Sequence, residues 1–218
     1  TMISNTAKKA VIDTMENFYG NPSSLHMAGQ RAKEVLEKAR KDVAECLGAD
    51  FKEIYFTSGG SEADNQAIVS AAKIGARKNK KHIISTKIEH HAVLHILNKL
   101  EKEGFEITLL DIEESGIVKP EDVKSAIRED TALVSIMYAN NEIGTLQPIT
   151  EIGRICREKD VLFHTDAVQA VGHVKIDVNE QNIDLLSLSA HKFHGPKGVG
   201  ALFARKNIPL TNMIEGGA

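Results

Sequence analysis

TALVSIMYANNEIGT (131–145) is the stretch that decides the fold. Its first part, TALVSIMY (131–138), is largely apolar on both faces of a would-be strand, and the chain then turns abruptly polar. A strand that is apolar on both sides has to be covered on both sides, as in parallel sheets whose crossover helices lie above and below. Outward from it the same unit recurs. Downstream, ITEIGRICREK (149–159) has helical spacing, and VLFHTD (161–166), LLSLS (185–189) and VGALFA (199–204) read as further strands. Upstream, EIYFT (53–57) reads as a buried strand, HIIST (82–86) and EITLL (106–110) as two more, and HAVLHILNKLEKEG (91–104) as a helix ending at Gly104. Ala28, Ala32, Val35, Leu36, Ala39, Val43 and Leu47 recur at helical spacing, so 26–47 is expected to be a long amphipathic helix stopped at Gly48. A second helix follows SGGSEADN, with Ala63, Ala67, Ile68, Ala71 and Ile74 on its apolar side. Pro120, with acidic neighbours, opens a short helix over 120–128. The expected fold is α/β: a three-layer α/β/α domain over 1–218 around a mostly parallel sheet.

Composition narrows the function. The 218 residues carry a net charge of −3 with signs interspersed, which argues against nucleic acid or a membrane surface as partner. No apolar run approaches the roughly 18–20 residues that span a bilayer. Two cysteines, Cys46 and Cys156, make neither a disulfide framework nor a CxxC pair, which fits a reducing, cytoplasmic setting. Both fall in apolar helical rhythms and are expected to be buried structural thiols.

Five post-strand turns carry the chemistry: SGGSEADN after 53–57, EHHAV after 82–86, ANNEIG after 131–138, DAVQ after 161–165 and SAHKFHGPKG after 185–188. In a parallel sheet these turns share the carboxyl edge, where ligands bind. Gly59 and Gly60 permit a tight backbone, and Ser61 and Glu62 open a helix whose N-terminus suits an anion, although taken alone the motif reads better as a plain glycine turn with Ser61 as N-cap. GPKGVG (195–200) is a tight turn; Walker and GxGxxG phosphate motifs are absent. Asp166 ends an apolar strand, where a carboxylate needs a cation unless it merely caps the next turn. Gln169 lies one turn further on. Lys192 follows a buried strand. Its amine, with a reference pKa of about 10.4, becomes a nucleophile once burial and the candidate cationic neighbours His191, His194 and Lys197 lower that value. His91 and His95 have i,i+4 spacing, but with no HExxH and no nearby cysteine pair no metal site is expected.

In order, GNPSSLH (20–26), FTSGGSEADN (56–65), EHHAVL (89–94), NNEIGTLQP (140–148), HTDAVQAVG (164–172), SAHKFHGPKGVGAL (189–202) and the closing EGG resemble the cysteine desulfurases, the NifS/IscS-like group of class V, fold-type-I enzymes that use pyridoxal 5′-phosphate. The resemblance covers essentially the whole chain. It implies that Lys192 carries the cofactor as a Schiff base and that Asp166 pairs with its ring nitrogen. Gln169 would bond the ring oxygen, and His90 would stack on the ring and assist proton transfer. Asn141 would touch the ring oxygen or the substrate carboxylate. Gly60, Ser61, Ser189 and His191 would hold the phosphate, with Ser61 standing where the family usually has threonine. It further implies L-cysteine as substrate, alanine as product, a homodimer, and an iron–sulfur scaffold or other sulfur acceptor as partner.

The family's N-terminal strand, nucleophilic cysteine, substrate-binding arginine and the hydroxyl lent by a partner subunit match nothing here. Neither Cys46 nor Cys156 occupies the catalytic position. The chain is therefore expected to be the cofactor-binding large domain, inactive alone. Selenocysteine lyase or another class V activity is an enzymatic alternative, and a truncated scaffold or dimerisation domain a non-enzymatic one. Lys192, Asp166, Gln169 and His90 argue against a scaffold, which needs none of them.

Overall fold

The computed structural model describes residues 1–216. Its helices are α1 (Asn5–Asn17), α2 (Met27–Leu47), α3 (Gly60–Ala76), α4 (His91–Lys102), α5 (Pro120–Ala126) and α6 (Ile149–Glu158). Its strands are β1 (Ile54–Thr57), β2 (His82–Thr86), β3 (Glu106–Leu110), β4 (Thr131–Ser135), β5 (Leu162–Asp166), β6 (Leu185–Ser189) and β7 (Gly200–Ala204). They form one sheet in the order β1-β7-β6-β5-β4-β2-β3. Strands β2 to β6 are parallel, and β7 pairs antiparallel with both β6 and β1, so β7 alone runs against the rest. The reversal follows from the connection 190–199, which is too short to hold a crossover helix.

Strand residues alternate between two cores. Ile83, Leu133, Leu185 and Leu202 face α3 and α4, whose Ala67, Ile68, Val93 and Leu97 complete that cluster. Ile84, Val134, Phe163, Leu186 and Phe203 face the other side with Leu47 of α2, Val123 of α5 and Ile152 of α6. This is the three-layer arrangement expected from strands apolar on both faces. Each large side chain removed from water contributes about 1.5–3 kcal/mol, and Phe163 and Phe203 are wholly buried.

Several expectations change. EIYFT is an edge strand with Tyr55 41% exposed, because only β7 flanks it. The long helix closes at Gly48 in the left-handed region (φ 68°), as its sequence suggests, but Leu36 and Ala39 on its apolar stripe stay exposed. Cys46 is exposed, not buried: Val43 and Leu47 turn to the core and position 46 falls off that stripe. Helix α1, with no buried residue, goes unseen in the sequence for lack of an inward stripe. TALVSIMY leaves the sheet ladder after Ser135, although Ile136 and Tyr138 still donate N–H bonds to His164 and Asp166 carbonyls of β5 (3.1 and 2.8 Å). Gly217, in the closing EGG, lies outside the described residues.

Candidate active site

The carboxyl ends of β1, β2, β4, β5 and β6 surround one cavity of about 290 Å³. Gly60 and Ser61 reach it from the turn after β1, His90 from that after β2 and Asn141 from that after β4. Asp166 and Gln169 reach it from the end of β5 and its turn, and Ser189, His191 and Lys192 from the end of β6. All nine sequence-predicted residues therefore line a single space. Asp64, Met137, Ala139 and Val168 line it too and were not foreseen.

At one end the backbone of α3 supplies donors. Gly59, not Ser61, is the N-cap, and it offers no side-chain cap. The first N–H groups of a helix have no intrahelical acceptor. Glu62 is turned away, accepting from Ser58 N–H and Oγ–H at 2.7 and 2.5 Å. Gly60 packs so closely that a Cβ would lie 2.6 Å from Val168 Cγ2. Ser189 Oγ and His191 Nδ1, 2.9 Å apart, complete this end. Desolvation first, then Lys192, hold the His191 imidazole below its usual pKa, so it is neutral at neutral pH and is not the cationic neighbour expected for Lys192.

At the other end sits Asp166, buried to 5% exposure. One oxygen accepts from Val168 N–H at 2.9 Å, so it does cap the following turn; its other oxygen has no hydrogen bond among the described residues. Burial pushes the carboxyl above its usual range, and the Val168 N–H, His90 and Lys192 pull it back. Residues 167–174 form successive turns, not a regular helix, and Gln169 stands on the first of them.

Lys192 ends a one-turn 3-10 helix (Ala190–Lys192), half-buried. Tight bonds hold the turn: Gly195 N–H donates to Ala190 O at 2.8 Å, where a Cβ on Gly195 would meet Ala190 Cβ at 2.7 Å. The N-terminal segment straps its outside. Thr1 Oγ1 donates to His191 O (2.6 Å) and accepts from His194 N–H (3.0 Å), and Ser4 N–H donates to His194 O (2.9 Å). His194 Nδ1 bonds Met2 O at 3.0 Å, so this ring is engaged outside the cavity.

His90 is the N-cap of α4; its Nδ1 accepts from Ala92 N–H at 3.1 Å, which leaves the proton of the neutral ring on Nε2. Asn141 is presented by its neighbour. Asn140 Oδ1 accepts from the N–H of Glu142 and Ile143 (2.8 and 3.0 Å) while its amide donates to Ile88 O at 3.0 Å. His91 and His95 lie 5.4 Å apart ring to ring, and no third ligand joins them among the described residues.

Pyridoxal phosphate presents a phosphate, a basic ring nitrogen, a phenolic oxygen and an aldehyde. The residues fit it: free helix N–H groups with Ser189 and His191 for the anion, a buried carboxyl without a cation bonded to it for the ring nitrogen, amides of Gln169 and Asn141 for the oxygen, and an amine for the aldehyde. One signal overlooked in the sequence is Asp64. It lies four before Ile68 and seven before Ala71, a charge on an otherwise apolar stripe.

Known proteins resemble this chain in sequence and in fold. The cysteine desulfurase IscS of Clostridium botulinum is 57% identical over 202 residues, covering 93% of this chain and 50% of that protein. IscS of Methanosarcina thermophila is 52% identical over 218 residues, covering all of this chain and 54% of that one. The chain thus spans about half the length of the curated relatives it matches. Among solved structures, SspA in complex with cysteine and a NifS-like protein each superpose with a TM-score of 0.95 at 41% identity, covering the whole of this chain and 63% and 60% of theirs. The aminotransferase class-V family matches residues 3–217, and with that extent of agreement the chain belongs to the class-V aminotransferase family.

Proposed function

We propose that these residues are the cofactor-binding large domain of a cysteine desulfurase, which takes sulfur from L-cysteine and leaves L-alanine. The overall exchange balances: cysteine and an enzyme thiol give alanine and an enzyme persulfide. The observation that carries the reading is the delivery of Lys192, Asp166, Gln169, His90, Asn141 and the α3 N-terminus into one cavity from five strand ends. Bound pyridoxal phosphate supplies an electron sink for the substrate's carbon skeleton.

The protein's residues do the rest. The α3 N–H groups, Ser189 and His191 would hold the phosphate. Asp166 would pair with the ring nitrogen and favour its protonated form. His90, whose Nδ1 is tied to Ala92 N–H, would carry a proton at Nε2. The Lys192 amine would hold the cofactor by its aldehyde. Neither Cys46 nor Cys156 lines the cavity, and burial pushes the Cys156 thiol up. That supports placing the sulfur-accepting cysteine in a part of the whole protein outside these 218 residues. A cysteine-bound structural relative supports L-cysteine as substrate. The whole protein is read as a homodimer that passes sulfur to an iron–sulfur scaffold or another acceptor. An exposed unpaired Cys46 supports a reducing, cytoplasmic setting.

The test is optical. The purified protein mixed with pyridoxal phosphate should develop a near-visible absorption band that borohydride bleaches, and Lys192→Ala should lose both. A band of equal strength and equal bleaching in Lys192→Ala would refute the assignment. Alanine release by these 218 residues alone would overturn the placement of the sulfur-accepting cysteine elsewhere.

A further inference from the structure

On the α3 side of the sheet, two residues before Asp166 and Ser189 along their strands, the apolar layer gives way to a buried polar rung. Ser85 Oγ donates to Ser135 O at 2.8 Å, Ser135 Oγ contacts His164 Nδ1 at 2.8 Å, and His164 Nε2 contacts Ser187 Oγ at 3.0 Å. Asp64 closes the rung from α3, with Oδ1 3.6 Å from His164 Nε2. That oxygen is buried, has no hydrogen-bond partner among the described residues, and belongs to a side chain lining the cavity. Glu89, from the turn after β2, accepts from Thr86 Oγ1–H (2.6 Å) and Met137 N–H (3.0 Å) through Oε1, while its buried Oε2 has no partner among the described residues.

Asp64, Glu89 and Asp166 therefore converge beneath one cavity. Asp64 lies 3.6 Å from His164 of β5, and Asp166 of β5, Ser187 of β6 and Glu89 of the turn after β2 stand near enough to act on it. The cation near this group, Lys192, acts on Asp166. His164 is no cation: burial lowers its pKa to about 3. No Lys or Arg forms an ion pair with Asp64 or Glu89 among the described residues. Like charges this close in a dry interior cannot all ionise.

We infer that Asp64 is a positioning residue for Asp166: it holds a proton at the end of the polar rung, so that Asp166 is left as the ionised carboxyl at the cavity floor. Glu89 supports it in the same way. Asp64 thereby fixes which carboxyl pairs with a cationic ring nitrogen, and the inference rests on reading Asp166 as that partner.

The test needs no cofactor. Infrared spectra of the purified cofactor-free protein, taken from acid to alkaline pH, should contain a carboxylic-acid carbonyl band that persists at neutral pH and ionises only in alkali. Asp64→Asn in a Glu89→Gln background should abolish what remains of that band. Ser187→Ala removes a hydroxyl beside Asp64 that favours its ionised form, and should move the alkaline step to higher pH; it serves if Asp64→Asn does not fold. A carboxylate at position 64 at neutral pH, or an alkaline step indifferent to both variants, would overturn the inference. Because Lys192 absorbance is measured separately, loss of the cofactor reading and loss of this one are distinct results.

Discussion

A single side chain illustrates how burial sets chemistry here. Burial raises Glu89 from 4.5 to about 8, outweighing the bonds from Thr86 and Met137. The sign of the stability effect follows. Between about pH 4.5 and 8 the unfolded chain has lost a proton that the folded protein keeps, so folding weakens as pH rises through that window and levels off above it. Glu89→Gln should flatten this decline by on the order of 1 kcal/mol per pH unit, measured by denaturant unfolding of the cofactor-free protein. Asp64 acts with the same sign, so part of the slope should survive. An identical slope in Glu89→Gln would mean that Glu89 ionises normally. At this scale much of the site was legible: Lys192, Asp166 and His90 stand at strand ends where bare polarity is conspicuous. Asp64 sits on the apolar stripe that the sequence already shows, but a lone acid there points to no partner until the fold brings β5 against it.

Elements are set by local spacing and by what they pack against. Gly153 in α6 shows the second. A Cβ there would stand 2.0 Å from Gln181 O, part of the backbone that leads into β6. Alanine gains about 1 kcal/mol of helix propensity over glycine, but a backbone carbonyl has no rotamer to yield. Gly153→Ala should therefore lower stability by about 1–3 kcal/mol, seen as a lower thermal midpoint with the cavity residues unmoved. An unchanged or higher midpoint would mean that α6 slides without cost. Strands and most helices were readable from periodicity, and Gly48 and Gly104 marked two ends. Helix α1 was not, since its apolar residues remain exposed and impose no period.

Across the whole molecule, stability is concentrated where both faces of the sheet are covered. Strands β4, β5 and β6 are almost wholly buried, whereas α1 buries no residue. Hydrogen exchange should find the β4–β6 amides slowest and α1 the fastest-exchanging helix; equal protection of α1 would show that another surface covers it in solution.

The amino-acid order alone determined that strands apolar on both faces alternate with helices, and that five polar turns end those strands. These are local properties, written in spacings of two and of three to four residues. Only the tertiary structure decided that β7 runs backwards, that residues 1–4 brace the Lys192 turn and that Asp64 lies beneath Asp166. Those contacts join residues far apart in the chain, and topology, which no local period encodes, sets which of them meet.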